Sequence, residues 1–242
     1  MTRDAGTLQI LETPADVARA LAQTFVDTGS QAIRERGSFS VALAGGSTPK
    51  AAYALLAQPP FSNAVDWNKV EIFFGDERCV PPEDEQSNFR TANLGFLHAV
   101  GVPAEHIHRM RGEVDPAAAA AAYRDELTTS LGPQPCLDLV MLGMGPDGHT
   151  ASLFPGTDPL TDAEALVRAV YAPSQSQWRI TLTPAVINAA RNVIFAVEGA
   201  GKAATLKAVR EGSYQPATYP SQIVAPLHGT LTWLVDRAAT AQ

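Results

Sequence analysis

The sequence predicts an α/β fold, in which a Rossmann-like, mostly parallel sheet carries helices on both faces within a single domain spanning residues 1–242. Short apolar runs alternate with amphipathic segments along the chain, which is the order of strands and helices in α/β proteins. The runs at residues 139–142 and 193–197 are apolar at every position, which is typical of parallel strands covered on both faces. No linker rich in Pro, Gly or Ser divides the chain.

Each apolar run predicts one strand, and the amphipathic segments between the runs predict the helices. Strands are predicted at residues 39–44, 70–74, 139–142, 179–183, 193–197 and 231–235. Helices are predicted at residues 14–27, 49–56, 88–99, 116–131 and 200–209. Shorter runs near Ile107 and at residues 167–171 predict edge strands.

The Ala-rich segment PAAAAAAYRDELTTSL is compositionally biased, and the residues at its start indicate how it folds. Asp115 has a side chain that can accept hydrogen bonds from the first helical turn as an N-cap. Pro116 takes the first helical position, where its missing N–H costs no hydrogen bond. The segment therefore predicts a helix rather than a low-complexity region.

Composition narrows the classes of partner that the chain can bind. Hydrophobic residues make up 45 % of the sequence, enough for a core that needs no disulfide or metal. The net charge is −7, and Lys and Arg are scattered along the chain. Nucleic acid needs clustered cations, so it is not expected as a partner, whereas a small anion needs only a few local donors.

Cysteine usage and hydropathy predict the cellular compartment. Cys79 and Cys136 show no CxxC or Cys/His spacing, which is typical of a reduced intracellular protein. The first residues lack the apolar core of a signal peptide, and no run approaches the ~20 apolar residues of a membrane span. We therefore expect a cytoplasmic location and no contact with a membrane.

A glycine-rich stretch, VALAGGSTPKAAYALLA, follows the first predicted strand. Gly45 and Gly46 end the strand, Ser47 and Thr48 come next, and Pro49 opens a helix. Glycines let a ligand approach the backbone, and the free N–H groups of a helix start favour an anion. The stretch is therefore a candidate phosphate cradle, although a Walker A pattern is absent. An ordinary capped strand–helix turn is the alternative interpretation.

Three charged residues follow the second predicted strand in FFGDERCVPPEDEQSNFR. Asp76, Glu77 and Arg78 come directly after Gly75. Charged groups at the carboxyl end of a parallel strand lie where α/β sheets bind ligands, and Arg offers a planar fork for phosphate or carboxylate. A cluster of surface salt bridges is the alternative interpretation.

The stretch DLVMLGMGPDGHTASLFPG runs from a strand into a glycine-rich turn with a single histidine. It satisfies GxGxxG, but dinucleotide binding also needs a helix directly afterwards and an acid about 20 residues further on at a strand end. Pro155 leaves little room for such a helix. We expect instead that Gly143, Gly145 and Gly148 adopt positive φ angles that aim His149 into a cleft. A neutral imidazole accepts protons near pH 7, so His149 is a candidate general base, with a structural role as the alternative.

Two cations stand near the ends of further predicted elements. Lys202 falls at the start of the helix predicted at residues 200–209, where its charge would add to an anion-favouring helix start, and Arg179 begins a strand. Simple exposure and a surface ion pair are the respective alternatives. His106 and His108 share a strand face without a third ligand, so no metal site is predicted. No GxSxG elbow is present, and neither cysteine stands in a nucleophile's setting.

Together these stretches resemble the 6-phosphogluconolactonases over nearly the whole chain, from about Leu11 to Ala239. The motifs are AGGSTPKAAYALLA, FFGDERCVPPEDEQSNFRTA, DLVMLGMGPDGHTASLFPG, RITLTPAVINAA, EGAGKAATLKAV and APLHGTLTWLVDRAA. The related glucosamine-6-phosphate deaminases follow DGH with a loop that carries a Glu in an F-x-E-P setting. Here the loop reads LFPG, with no carboxylate before Asp158, which favours the lactonase. The segment PSQSQWRITLT departs from the family's usual Lys-Pro-Pro approach to Arg179.

The resemblance implies hydrolysis of 6-phospho-D-glucono-1,5-lactone to 6-phosphogluconate, in the oxidative pentose phosphate pathway and without a cofactor. It implies His149 as the general base, with Asp76 or Asp147 orienting the imidazole or the attacking water. Arg78 or a backbone N–H would stabilise the carbonyl oxygen. The residues expected to bind the phosphate are Gly45, Gly46, Ser47, Thr48, Arg78, Arg179 and Lys202.

Two other functions remain open from the sequence alone. An enzyme of the deaminase or isomerase class would release ammonia from glucosamine 6-phosphate. A non-catalytic sugar-phosphate sensor would bind 6-phosphogluconate without turnover. Such a sensor would usually need a DNA-binding segment, and the sequence shows no helix-turn-helix or basic segment. We therefore expect a small sugar-phosphate lactone as the partner of a monomer or weak homo-oligomer.

Overall fold

Strands and helices alternate along the chain in the computed structural model, which describes residues 5–160 and 164–241. The strands are β1 (Thr7–Leu11), β2 (Phe39–Leu43), β3 (Val70–Phe74), β4 (Asp76–Arg78), β5 (Leu139–Leu142), β6 (Val167–Ala172), β7 (Gln177–Leu182), β8 (Asn192–Val197) and β9 (Thr230–Asp236). The helices are α1 (Pro14–Arg36), α2 (Ser47–Leu56), α3 (Asn88–Ala92), α4 (His98–Val100), α5 (Pro116–Leu131), α6 (Pro184–Ala189), α7 (Ala203–Glu211) and α8 (Arg237–Thr240). A π-helical turn, Asn93–Leu97, joins α3 to α4.

Six strands form a parallel sheet in the order β1-β9-β8-β5-β2-β3. The chain passes from β2 outward to β3 and then returns to the other side of β2 at β5. The winding therefore changes direction between β2 and β5. The loops that leave the carboxyl ends of these two strands diverge and open a crevice, which is where α/β proteins bind ligands.

The parallel sheet is covered on both faces because its central strands alternate between two cores. Val41 and Leu43 of β2 pack in one core with residues of α1 and α2. Ala42 of β2 and Val140 of β5 pack in the other, with residues of α5, α6 and α7. Both faces of these strands are thus apolar, which explains their uninterrupted apolar sequences. The predicted fold, a mostly parallel sheet with helices on both faces, is confirmed.

A second sheet, which the sequence does not indicate, has the antiparallel order β4-β7-β6. The predicted edge strand at residues 167–171 is confirmed as β6 of this sheet, whereas Ile107 forms an isolated parallel bridge to Ile72. The strand predicted at residues 179–183 is confirmed as β7 of the same sheet, which begins two residues earlier, at Gln177. Arg179 lies in β7, directly opposite Arg78 of β4, because the charged segment after Gly75 is itself a strand.

Helix α1 extends to Arg36, well beyond its predicted end at Asp27. Gly29 lies inside the helix and does not end it; its role is to allow close packing. A Cβ at Gly29 would lie 2.9 Å from the ring of Phe39, so the glycine lets α1 approach β2. The helix ends at Gly37, whose φ of 88° is the left-handed conformation common after helices. None of the helices in the described residues combines the length and apolarity needed to cross a membrane.

His108 joins the edge of the parallel sheet to α5. Its Nδ1 lies 2.9 Å from Glu126 Oε1, and its Nε2 lies 2.8 Å from Glu71 Oε2. The imidazole also stacks on the ring of Phe73, with 4.4 Å between centroids. Burial by itself would lower the pKa of His108, but the hydrogen bonds and charges of Glu126 and Glu71 outweigh it and raise that pKa.

We expect His108 to stabilise the fold more in acid than in base. Because its folded-state pKa is raised, its contribution is fully present below the unfolded-state pKa of about 6.5 and is lost as pH rises through the folded value. The free energy of unfolding, measured with urea between about pH 6 and pH 9, should therefore fall more steeply for the wild type than for His108→Gln. The same pH slope in both proteins would contradict this assignment.

Candidate active site

A pocket of about 370 Å³ opens at the carboxyl ends of β2, β5 and β8. The three-stranded sheet β4-β7-β6, called the small sheet below, contributes β4 and the first half of β7 to the wall of this pocket. Every candidate site residue except Asp147 lines the pocket, namely Gly45, Gly46, Ser47, Thr48, Asp76, Arg78, His149, Arg179 and Lys202. Residues from distant parts of the sequence therefore meet at the crevice between β2 and β5, where the winding of the sheet changes direction.

His149 is held by the turn that follows β5. The Gly145 N–H donates to the His149 carbonyl (2.8 Å), which closes the turn. Asp147 Oδ1 lies 2.6 Å from His149 Nδ1 and also accepts a hydrogen bond from the His149 N–H (3.1 Å). Burial alone would raise the pKa of Asp147, but the charge and hydrogen bonds of His149 outweigh it and lower that pKa. The ionised carboxylate needs a proton on Nδ1, which leaves Nε2 as the nitrogen that can accept one.

The glycines of this turn act differently from the prediction. Gly148 has the expected positive φ, 79°, but Gly143 and Gly145 do not, so the expectation is wrong for these two. Gly145 is needed for space instead, because a Cβ there would lie 2.1 Å from His149 Nδ1. A left-handed conformation falls on Ala151, with φ 47°, just after the histidine. Such backbone strain at a non-glycine residue is typical of functional sites.

Asp76 and Asp147 have different partners, which separates the two carboxylates that the sequence left as alternatives. Asp147 contacts the imidazole of His149. Asp76 accepts hydrogen bonds from Ser152 Oγ (2.7 Å) and Asn88 Nδ2 (3.1 Å) and lines the pocket. Ser152 and Asn88 lie in the motifs quoted above, but no local sequence signal indicates these contacts, because they join separate segments of the chain.

Glu77 is a buried structural residue, so the surface salt-bridge interpretation of this segment is wrong for it. Its side chain is 2 % exposed and accepts hydrogen bonds from the N–H groups of Arg78, Asn88 and Phe89 and from Ser87 Oγ. Burial raises the pKa of Glu77, and the N–H donors oppose that effect. The carboxyl group fixes the start of α3 and thereby the position of Asn88 beside the pocket.

The glycine loop leads into a helix start that lacks a side-chain cap. Gly46 is the N-cap of α2, with φ 104°, and has no side chain to accept from the first turn. Pro49 has no N–H, so the amides of Ser47 and Thr48 are the ones that could bind an anion. The Ser47 hydroxyl donates instead to Glu198 Oε1 (2.7 Å), across the crevice. The helix start is therefore not an ordinary side-chain-capped turn, and the loop stays a candidate anion cradle.

Arg78 and Arg179 lie directly opposite each other on β4 and β7, and both line the pocket. Arg179 is 4 % exposed, so its interpretation as a surface residue is wrong. Arg78 Nη1 donates to the Gln86 carbonyl and Arg179 Nη2 to Gln175 Oε1, but within the described chain the buried Nε atoms of both arginines have no partner. Burial lowers the pKa of Arg179, and the charge of Arg78 lowers it further. Two like charges with unused donors form a site that an anion would stabilise.

Lys202 belongs to the same pocket and is more than an exposed cation. It ends the 3₁₀ turn Ala200–Lys202 before α7. Burial lowers the pKa of Lys202, and the charge of Asp147 acts in the opposite direction. Lys202 therefore brings a third positive charge to the pocket, near the Asp147–His149 pair.

The described residues contain no cluster of three or more His, Cys, Asp or Glu side chains that could hold a metal ion. Burial raises the pKa of the Cys79 thiol to about 11, which keeps it protonated at neutral pH. Cys136 Sγ donates to the Ala189 carbonyl.

The geometry indicates a class of protein. The imidazole of His149 is hydrogen-bonded to a carboxylate and shares one cavity with three cationic side chains. This combination is typical of an enzyme that transfers protons to or from a small anionic substrate. Residues 12–233 match the family model described as glucosamine-6-phosphate isomerases/6-phosphogluconolactonase. The chain belongs to this family.

Individual relatives agree with that assignment. A 6-phosphogluconolactonase from Nostoc sp. is 41 % identical over 98 % of both chains, and one from Haemophilus influenzae is 35 % identical over 82 % of this chain and 85 % of the relative. The solved 6-phosphogluconolactonase from Trypanosoma cruzi has a TM-score of 0.89 at 28 % identity, covering 99 % of this chain and 97 % of that one. A monomeric glucosamine-6-phosphate deaminase, at 22 % identity and a TM-score of 0.81, shares the fold. The resemblance to the 6-phosphogluconolactonases is confirmed.

We expect Gly145→Ala to displace the imidazole of His149 without unfolding the protein, because the new methyl group would meet a ring that can rotate away. The hydrogen bond from Nδ1 to Asp147 should be lost, and ¹⁵N NMR of labelled histidine should show the loss of the Nδ1–H signal. Gly143→Ala is the matched control, since a Cβ there meets no atom within 4 Å. An intact Nδ1–H signal in Gly145→Ala would contradict the role of space at this position.

Proposed function

We propose that this protein hydrolyses 6-phospho-D-glucono-1,5-lactone to 6-phospho-D-gluconate, the reaction of the oxidative pentose phosphate pathway. The observation that carries the proposal is that the buried Nε groups of Arg78 and Arg179, which have no partner among the described residues, share one cavity with His149, whose imidazole contacts Asp147. A phosphorylated lactone needs both features, since it presents an anion and an ester that water must attack. Relatives and solved neighbours that carry the name 6-phosphogluconolactonase support the same reaction.

The cations and the glycine loop bind the phosphate in this proposal. Arg179 and Lys202 both line the pocket and supply charge, and the N–H groups of Ser47 and Thr48 supply neutral donors at the start of α2. Arg78 lies beside Arg179 and is shared between the phosphate and the carbonyl end of the substrate. Gly45 lies so close to Asn88 that a Cβ at this position would be 2.1 Å from Asn88 Oδ1, so only glycine fits beside the Asn88 side chain as it is placed here.

His149 activates the water in this proposal. The water oxygen bonds to C1 of the lactone as one of its protons passes to His149 Nε2. The bond from C1 to the ring oxygen then breaks, and Nε2 returns that proton to the ring oxygen. The second proton of the water leaves the new carboxylic acid to solvent. Asp147 keeps Nδ1 protonated and stabilises the positive charge of the imidazolium between the two transfers.

The carbonyl oxygen of the lactone gains negative charge when water attacks C1. Arg78 is the candidate donor to this oxygen, and its Nε has no other partner among the described residues. Asp76 lines the same pocket and is held by Ser152 and Asn88, in a position to orient the attacking water. No covalent enzyme intermediate is needed, since the nucleophile is water.

The environment of His149 favours the lactonase over a deaminase. The ring of Phe154 lies 4.6 Å from the imidazole, centroid to centroid, and Phe154 is 4 % exposed. This apolar contact occupies the loop in which the deaminase motif carries its glutamate. An apolar neighbour provides no second proton-transfer group for ring opening or amine chemistry.

Partners and location remain predictions. We propose a small sugar-phosphate lactone as the ligand, without metal or cofactor, for a monomer or weak homo-oligomer in the cytoplasm. Nucleic acid and membrane are not expected.

We expect His149→Asn to remain folded and to bind 6-phosphogluconate within a few-fold of the wild-type affinity. The catalysed rate should fall by about 10²–10⁴, because this is the usual contribution of a general base. Loss of the lactone would be measured above its spontaneous hydrolysis, with His98→Asn, an exposed histidine outside the pocket, as the control. If His149→Asn kept more than a tenth of the activity, the base would have to be sought elsewhere, for example at Asp76.

We expect Lys202→Ala to discriminate between lactones with and without phosphate. Its KM for the phosphorylated lactone should rise about 10- to 100-fold through loss of a charge-assisted contact. Its use of glucono-1,5-lactone, measured in the same assay, should change little. Lys207→Ala removes an exposed charge from α7 outside the pocket and serves as the control. Equal losses on both lactones would show that Lys202 does not act on the phosphate.

A further inference from the structure

A carboxylate occupies part of the anion cradle in this structure. Ser47 Oγ donates to Glu198 Oε1 at 2.7 Å, and both residues line the pocket. Ser47 is the first residue of α2, whose uncapped N-terminus favours negative charge. The anion nearest to this helix start is therefore a side chain of the protein itself.

The backbone that carries Glu198 is firmly held, so its carboxylate reaches Ser47 from a fixed base. Glu198 directly follows β8. The N–H of the next residue, Gly199, donates to both carboxylate oxygens of Asp236, at 3.0 and 3.1 Å. Asp236 is itself 1 % exposed. The side chain of Glu198 can turn, but its Cα cannot move away from the crevice without breaking these hydrogen bonds.

We propose that Glu198 is a specificity-determining residue that competes with the phosphate of the ligand for Ser47. This inference rests on the proposed function, since it concerns the same phosphate cradle. The Ser47 hydroxyl has a single proton, so it cannot donate to Glu198 and to a phosphate oxygen at once. A phosphate that takes this donor must displace a carboxylate and then remain near its negative charge.

The competition explains how a cradle with three cations can avoid binding phosphate too tightly. Arg78, Arg179 and Lys202 attract any phosphate, including inorganic phosphate and the phosphorylated product. Glu198 opposes each of these ligands, because each must displace its carboxylate from Ser47. The side chain of Glu198 therefore weakens binding of the substrate at its phosphate. It does not act on the chemical step, which takes place at His149 and the ester, far from the phosphate.

The test is calorimetric titration of the protein with inorganic phosphate and with 6-phosphogluconate. Glu198→Gln keeps a similar shape without the charge, and Glu198→Ala removes the acceptor altogether. We expect both variants to bind both ligands about three- to ten-fold more tightly than the wild type, the size expected for removing one like charge at the pocket edge. KM for the phosphorylated lactone should fall by a similar factor, while KM for glucono-1,5-lactone should not change.

Glu35→Gln is the matched control, because it removes an exposed carboxylate at the end of α1, on the edge of the sheet opposite the crevice. Unchanged or weaker ligand binding by both folded Glu198 variants would overturn the inference. If the wild type binds phosphate and Lys202→Ala weakens that binding, such a result would overturn the role of Glu198 alone. If the wild type binds neither ligand, the proposed phosphate site fails as well.

Discussion

Two backbone hydrogen bonds at Gly75 join the two sheets, and the site depends on this junction. The Gly75 N–H donates to the Leu43 carbonyl at the end of β2, and the Leu182 N–H at the end of β7 donates to the Gly75 carbonyl, both at 2.8 Å. The small sheet is thereby fixed beside the carboxyl edge of the large one. Without it, the crevice would contain the glycine loop and His149 but neither arginine, and so most of its positive charge would be missing.

The junction imposes an electrostatic cost that a ligand can relieve. Pairing β4 with β7 places Arg78 opposite Arg179, in a wall where Arg179 is almost fully buried. Charges in such a place are costly unless they are paired, and the carboxylates nearby are already engaged. Glu77 accepts hydrogen bonds at the start of α3, and Asp76 accepts them from Ser152 and Asn88. Asp147 contacts the imidazole of His149. Among the residues that the structure describes, the pocket therefore has arginine donors without a partner and more cationic than anionic side chains, which supports the proposed anionic substrate.

Sequence patterns predicted the parts of the molecule that depend on local order and failed where distant segments meet. The buried strands and most helices follow from apolar periodicity and proline positions, and the DGH motif led directly to His149. The small sheet was missed because β4 consists of three charged residues, which read as a loop. Strand β1 was missed because it is a largely exposed edge without a buried pattern. The contact between Ser47 and Glu198 spans 151 positions and leaves no local trace in the sequence.

We have proposed that Arg179 binds the phosphate of the substrate and that Arg78 is shared between this phosphate and the carbonyl oxygen, and the Nε–H groups of the two arginines report on both contacts directly. We would record ¹H–¹⁵N spectra of these groups, assigned with Arg78→Lys and Arg179→Lys, during titration with 6-phosphogluconate and separately with gluconate. We expect 6-phosphogluconate to shift the Arg179 signal downfield, to perturb that of Arg78 and to slow the exchange of both protons with water, and we expect gluconate to leave the Arg179 signal unchanged. Saturation of the protein with 6-phosphogluconate while both signals stay in place would contradict the proposal.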